Sequence, residues 1–406
     1  MARPLKLIKD DETRMDMGLQ FVKETSFGNN FVIVDETRHQ VLPEDQKRKF
    51  AYLATNQSFG IGCDNFLVVQ RCTPQVLDEI NAFNHYWDHR PDTQGADYIF
   101  RMFEPDGSEA FSCGNGLMCV ANYLLNQHRV ESARIMTEVP TSQPKTVSIG
   151  SNGDETASWA NLGQPRRVCP TQAALGIRTP CDEDIDLVER IEVSNFRKSD
   201  GAQFFNNRSS VSIRAYLVST GEPHLVIFTD TGFSIPGLSD LIFPDERSGS
   251  VEKRRSTSSA FVEFIGSYFA RVHKKHFPAG ININFVRYRK ETDTLEYRCF
   301  ERGINRETLA CGTGALACAF VAERLGLIQG RTITVLPHRC RWHDPDAVIR
   351  IKKSVEGWIL FGRPILLCQG TFNSERFLPD HSTAGGVFMS PVQNRPQHNA
   401  GLALSQ

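Results

Sequence analysis

The chain has 406 residues, 40% of them apolar and 23% charged, and a formal net charge of -1. That length accommodates two ordinary domains, and the near-zero charge gives no reason to expect a nucleic-acid or membrane surface. With no apolar leader, no run of membrane-spanning length and 11 scattered cysteines, the chain reads as a cytoplasmic protein with reduced thiols.

Residues 1–16 are charged and unpatterned and predict a mobile start. A first domain is expected over 17–155. In it Phe27 to Asp35 reads as a turn feeding a buried strand, 43–57 as a helix, Phe59 to Asn65 as a glycine-rich turn before a strand at 66–69, and 97–103 as another strand. From Cys113 the period changes, with Leu117, Val120, Ala121, Leu124 and Leu125 at helical spacing. A second domain is expected over 156–356. It offers strands at 216–219 and 225–228 around the turn Thr220 to His224, a helix at 261–275, and a turn plus strand at 277–286 that parallels Phe27 to Val34. A strand at 295–300 then precedes a second cysteine helix, whose apolar face is Leu316, Ala319, Phe320 and Leu325 and whose C-cap is Gly326. Stretches 178–210 and 245–259, rich in charge, Ser and Asn, read as surface insertions rather than core. A final strand near 357–372 could return to the first domain, and 373–406 reads as a disordered tail.

One stretch occurs twice. Phe103-Glu104-Pro105-Asp106-Gly107-Ser108-Glu109-Ala110-Phe111-Ser112-Cys113-Gly114-Asn115-Gly116 is echoed by Phe300-Glu301-Arg302-Gly303-Ile304-Asn305-Arg306-Glu307-Thr308-Leu309-Ala310-Cys311-Gly312-Thr313-Gly314. Each copy ends a strand with phenylalanine, places a glutamate four positions before a cysteine, and opens a helix with Cys-Gly-x-Gly. A helix start presents unpaired N–H groups and the positive end of the helix dipole, which hold a carboxylate and lower the pKa of a thiol. Glycines at 114, 116, 312 and 314 let a ligand approach the backbone. Two such starts facing each other would hold one carboxylate between two thiols, a geometry for removing an α-proton from one face and returning one to the other. No metal or pyridoxal group is needed. A lone cysteine in such a turn is most simply a small apolar filler; two in matched contexts point to shared chemistry. The same pair would also serve a thiol-disulfide redox protein, and an inactive relative that senses an amino acid is a third class. Cys119 and Cys318, two turns into their helices, read as packing. His338, Cys340 and His343 lack the spacing of a structural zinc motif, and no metal site is expected.

These motifs resemble the diaminopimelate epimerase family, in order from about residue 25 to 370. The resemblance is carried by Gly28-Asn29-Asn30-Phe31, Phe59-Gly60-Ile61-Gly62-Cys63-Asp64, Asp106-Gly107-Ser108-Glu109, Cys113-Gly114-Asn115-Gly116, Gly221-x-Pro223-His224, Asn282, Glu301-Arg302-Gly303 and Glu307-Thr308-x-Ala310-Cys311-Gly312-Thr313-Gly314. It implies an α+β fold of two pseudo-symmetric domains, each a curled, mainly antiparallel sheet around a central helix, with the site in the cleft between them. It makes Cys113 and Cys311 the acid–base pair, without pyridoxal phosphate or other cofactor. It has the amides of Gly114, Asn115, Gly312 and Thr313 hold the α-carboxylate. Asn29, Asn65, Glu104, Glu222, His224, Asn282, Glu301 and Arg302 would line the pocket, Glu301 near the reacting amino group and Arg302 near the far carboxylate. The implied partner is a small amino acid, LL-diaminopimelate converted to the meso form, and a homodimer is compatible with the sequence. Three positions depart from the family pattern: Asn65 replaces a glutamine, and Glu104 and Glu222 each replace an asparagine of the distal wall. Two added carboxylates suit a substrate with a cationic side chain, such as lysine, ornithine, diaminobutyrate or histidine, and make a racemase of that class the alternative.

Overall fold

A computed structural model describes residues 18–373, apart from 94, 152–157, 171, 174–177, 195–201, 206–209, 245–249 and 279. The expected mobile start, the disordered tail and the domain boundary near 155 fall on residues outside these. The first half runs β1 (Leu19–Ser26), β2 (Asn29–Glu36), α1 (Glu44–Thr55), β3 (Asn65–Arg71), α2 (Pro74–Asn84), β4 (Tyr98–Phe103), β5 (Glu109–Ala110), α3 (Gly114–His128), β6 (Ser132–Thr137), β7 (Lys145–Ser151) and β8 (Ser158–Asn161). The second runs β9 (Arg178–Pro180), β10 (Asp186–Ser194), β11 (Ser210–Ser219), β12 (Pro223–Phe228), α4 (Leu238–Ile242), α5 (Val251–Val272), β13 (Asn282–Arg289), β14 (Thr294–Glu301), β15 (Arg306–Thr308), α6 (Gly312–Arg324), β16 (Thr332–Pro337), β17 (Ile349–Lys353), β18 (Trp358–Gly362) and β19 (Ile365–Phe372).

The two halves repeat one pairing pattern. From β1 through β2, β3, β4, β6, β7 and β8 successive pairings are antiparallel, parallel, antiparallel, parallel, antiparallel and antiparallel. From β11 through β12, β13, β14, β16, β17 and β18 the series is the same. Each half curls around one helix that is apolar or small on every side: α3 is buried from Gly114 to Ala121, and α6 is buried at every position from Gly314 to Ala322. Such a helix is stable only when enclosed, and the sheet supplies the enclosure. β8 and β18 pair antiparallel, so the two curled sheets are continuous. β19 crosses back to pair with β1.

The expectation that 178–210 lies on the surface is overturned where that stretch is described, whereas the described part of 245–259 is exposed or half-buried except at Ser258. β9 and β10 extend the second sheet, and Val188, Ile191, Val193 and Phe205 are buried in its core. Their charges obscured an alternation in which Ile191 and Val193 face inward while Arg190 and Glu192 face out. From Val251 the second stretch forms the first turns of α5, where buried Ser258 donates to the Ile242 carbonyl at 2.8 Å.

A buried ion pair occurs twice at equivalent places. Arg101 on β4 grips Glu109 on β5 through two bonds of 2.8 and 2.7 Å. Arg298 on β14 grips Glu307 on β15 through bonds of 2.6 and 2.8 Å. All four side chains are almost fully enclosed. In both copies the glutamate is the one four residues before the cysteine, so the repeat in the sequence marks a clamp that closes the short hairpin leading to each thiol. Arg101 also pairs with Glu44, at 2.7 and 2.8 Å, so it is the arginine whose loss leaves Glu109 in the interior without a cation. Arg101→Ala should therefore lower stability by about 3–5 kcal/mol, read from urea unfolding midpoints.

Candidate functional site

Cys113 and Cys311 are the N-caps of α3 and α6, both with extended backbones. The two helix starts abut. A Cβ on Gly312 would stand 3.7 Å from the Gly114 Cα and 2.6 Å from a buried Leu360 methyl, so glycine sets how closely the starts approach. Asn115 Nδ2 donates to the Ala310 carbonyl at 3.2 Å, stitching the first turn of one helix to the residue before the other cysteine.

The two sulfurs have different surroundings. Cys311 Sγ accepts the Gly314 amide at 3.4 Å and lies 3.3 Å from the Thr313 hydroxyl. That hydroxyl is 3.1 Å from His224 Nε2, while His224 Nδ1 is 3.0 Å from Asn284 Nδ2. A carboxamide nitrogen only donates, so Nδ1 accepts, Nε2 carries the ring proton toward Thr313, and the Thr313 hydroxyl is left to donate to the thiol sulfur. His224 is fully buried, which lowers its pKa to about 4 and keeps it neutral. Cys113 instead donates its S–H toward Asn29 Oδ1 at 3.7 Å. Burial pushes the Cys113 thiol up. Amides of Gly116 and Asn115, pointing at the sulfur without completing a cap bond, pull it back, and Glu301 and Cys311 push it further. The lowered pKa expected at a helix start is thus not found at Cys113, because desolvation outweighs the helix field there.

The remaining pocket groups gather around these sulfurs in two similar sets. The turn through Phe27 and Gly28, both at positive φ, presents Asn29, whose Nδ2 donates to Asp64 at 3.1 Å. Asn65 opens β3 and donates to Glu104 at 2.9 Å. Asn282 opens β13 and donates to Glu222 at 2.9 Å, and its Oδ1 accepts the Arg302 amide at 2.9 Å. The Arg302 guanidinium meets both Glu222 oxygens, at 3.2 and 3.1 Å. Burial alone would push Glu222 up, but the Arg302 charge and the bonds from Arg302 and Asn282 hold it below the usual carboxylate range. Glu104 is pushed up by burial, opposed by the Asn65 bond and reinforced by Asp106, Glu222 and Asp64. Glu301, which accepts the Thr308 hydroxyl, is raised to about 7 by burial, with Glu222, Asp64 and Glu104 adding to the rise.

Every residue assigned to the pocket from the sequence lies in this assembly. Asp64, Asn284, Tyr297 and Thr308 also belong to it, and the sequence reading gave none of them a role. Tyr297 Oη accepts the Cys311 amide and donates to the Cys311 carbonyl, both at 2.9 Å. Asn284 had a legible signal: two residues after Asn282, it shares that residue's face of a buried strand. Cys119 and Cys318 are fully buried packing residues, and His338 pairs with Glu296 at 2.6 Å.

The fold is also that of a hydroxyproline epimerase from Agrobacterium vitis solved with trans-4-hydroxy-L-proline bound, at a TM-score of 0.51 and 12% identity over 88% of this chain and 93% of that one. A family model described as diaminopimelate epimerase matches residues 21–167 and 256–337. A diaminopimelate epimerase from Methanothrix thermoacetophila is 30% identical over 359 residues, 88% of this chain and 97% of the relative. Another, from Archaeoglobus fulgidus, is 27% identical over 329 residues, 79% and 86% of the two chains. Fold, paired thiols and relatives together define an isomerase of the amino-acid epimerase and racemase class. Within that class, the chain belongs to the diaminopimelate epimerase family.

A Cβ on Gly314 would stand 2.4 Å from Asn284 Oδ1 and displace the carboxamide that orients His224. Gly314→Ala should lower turnover on the order of 10²-fold, as ångström-scale misplacement does, while far-ultraviolet circular dichroism stays unchanged.

Proposed function

We propose that the protein inverts the α-carbon of an amino acid by a two-base reaction, interconverting LL- and meso-diaminopimelate. The observation that carries this reading is a difference between two sulfurs at abutting helix starts: backbone amides of its own helix face each one, but the Thr313 hydroxyl lies beside Cys311, whereas Cys113 donates toward the Asn29 carbonyl. For one direction of turnover Cys311 acts as the base and Cys113 as the acid. The α-carboxylate sits between the helix starts on the amides of Gly114, Asn115, Gly312 and Thr313. As the α-proton leaves for one sulfur, charge develops on that carboxylate, where both helix dipoles already point. Cys113 delivers a proton to the opposite face, and the roles exchange for the other enantiomer. Glu301 pairs with the α-ammonium. Asn29, Asn282 and Arg302 support the distal end of diaminopimelate.

A second reading has its own observation. Glu222 already engages Nε and Nη2 of the Arg302 guanidinium, and Glu104 adds a further carboxylate nearby. The distal wall therefore favours a cation, which supports a racemase of lysine, ornithine, diaminobutyrate or histidine.

Incubation in deuterated water under reducing conditions with LL-diaminopimelate and those four amino acids tests both. Deuterium should enter the α-position of at least one, most rapidly diaminopimelate. No exchange in any, together with a reversible Cys113–Cys311 disulfide, would favour the redox class instead. Cys113→Ser and Cys311→Ser should each lower exchange on the order of 10³-fold. If the added carboxylates select a cation, the Glu104→Asn, Glu222→Asn double variant should shift preference toward diaminopimelate. Because Glu301 must ionise to meet an ammonium, kcat/KM should rise with pH through about 7, and Glu301→Gln should remove that limb.

A further inference from the structure

Cys299 is a third thiol in this centre and has no part in the reaction above. It is fully buried on β14, two residues from Glu301, and so shares that residue's face of the strand. Cys299 Sγ, a Glu301 carboxylate oxygen and Cys311 Sγ all lie within 4.8 Å of one another, a combination of His, Cys, Asp and Glu ligands found nowhere else among the described residues. Two of the three ligands come from a single strand. The third is tied to that strand by the paired bonds between the Cys311 backbone and Tyr297 Oη. A tetrahedral zinc ion with bonds of about 2.0–2.3 Å needs its ligands roughly 3.5–3.8 Å apart, so a contraction of about 1 Å completes the site. Two sulfurs and one oxygen suit a soft divalent cation. Glu222, Asp64 and Glu104 add negative charge beside it.

We propose that Cys299, Glu301 and Cys311 bind a thiophilic divalent cation such as zinc, and that the bound ion inhibits the enzyme. Binding displaces the thiol protons and engages the Cys311 sulfur and the Glu301 carboxylate, so ion and amino-acid substrate exclude each other. The site itself rests on geometry alone; its inhibitory consequence rests on the two-base reading.

The test is a titration of the reduced full-length protein with Co2+ in the absence of substrate, read by the thiolate-to-cobalt charge-transfer band and followed by displacement with Zn2+. A saturable band with one ion per chain is expected. Cys299→Ala, which keeps the proposed acid–base pair, should bind at least about tenfold more weakly; Cys299→Ser serves equally if alanine impairs folding. Cys113→Ser should bind as tightly as the unmodified protein. The proposal is overturned if the Cys299 variants retain full affinity, or if Cys113→Ser abolishes the band, which would mean an ion bridging the two helix starts. Zn2+ should also slow α-proton exchange competitively and reversibly by chelation, and noncompetitive inhibition would overturn the inhibitory role. Because the band is read without turnover, absence of exchange with every amino acid would defeat the two-base reading and leave the metal site standing.

Discussion

The site depends on the buried arginine–glutamate clamp that occurs once in each half. Each clamp joins a core strand to the short strand running toward a cysteine, so the thiol's position is set by a fork of two hydrogen bonds rather than by a loop. The loop between β14 and β15 carries Gly303 at positive φ and Asn305, and the one between β4 and β5 is a turn through Gly107; neither contains enough apolar surface to hold itself. An ion pair in the interior is a poor source of stability when compared with apolar packing, but it is directional. Direction is what the proposed two-base reaction, with a sulfur on each face of one carbon, requires.

Strand register makes the equivalence of the halves residue by residue. Phe31 faces Asn65 as His224 faces Asn282, and Phe66 faces Phe103 as Ile283 faces Phe300. Asn65 therefore corresponds to Asn282, Asn29 to Glu222, and Glu104 to Glu301. Equivalent polar positions stand at the strand ends of both halves, and the asymmetry between them lies in a few residues. Where the second half has Arg302 after its glutamate, the first has Pro105, which carries no charge and no amide hydrogen. Glu104 thus keeps the carboxylate of its counterpart without the neighbouring guanidinium. The half-and-half architecture supplies two similar sets of polar groups, and these differences make the two sets unlike in charge.

Much of this was legible in the sequence because the repeat is short-range. Cys-Gly-x-Gly after a phenylalanine-ended strand encodes strand, turn and helix within about fifteen residues, and both copies carry it intact. The cysteine helices and the strands at 225–228 and 295–300 were legible by period alone. What escaped was set by contacts distant in sequence. The charged residues of β10 hid its inward alternation, and the polar start of α5 gave no sign that Ser258 would be enclosed. The fate of the Cys113 thiol was also beyond local reasoning: a helix field is local, whereas the desolvation that outweighs it depends on how the folded chain encloses the sulfur. The role of Glu109 and Glu307 as clamps, rather than pocket groups, could be seen only with Arg101 and Arg298 placed beside them.

The strand that crosses back, β19, has a consequence for the order of folding. It pairs along nearly the whole length of β1, whose other side is taken by β2. During synthesis, β1 emerges first and its partner last, with the entire second half between them. The N-terminal half cannot complete its sheet when its own residues have left the ribosome; it must wait with an open edge until residue 372 is available. The nascent chain therefore carries β1 without this partner through most of its translation, and the last of the described strands to be made joins the first half rather than the half that precedes it.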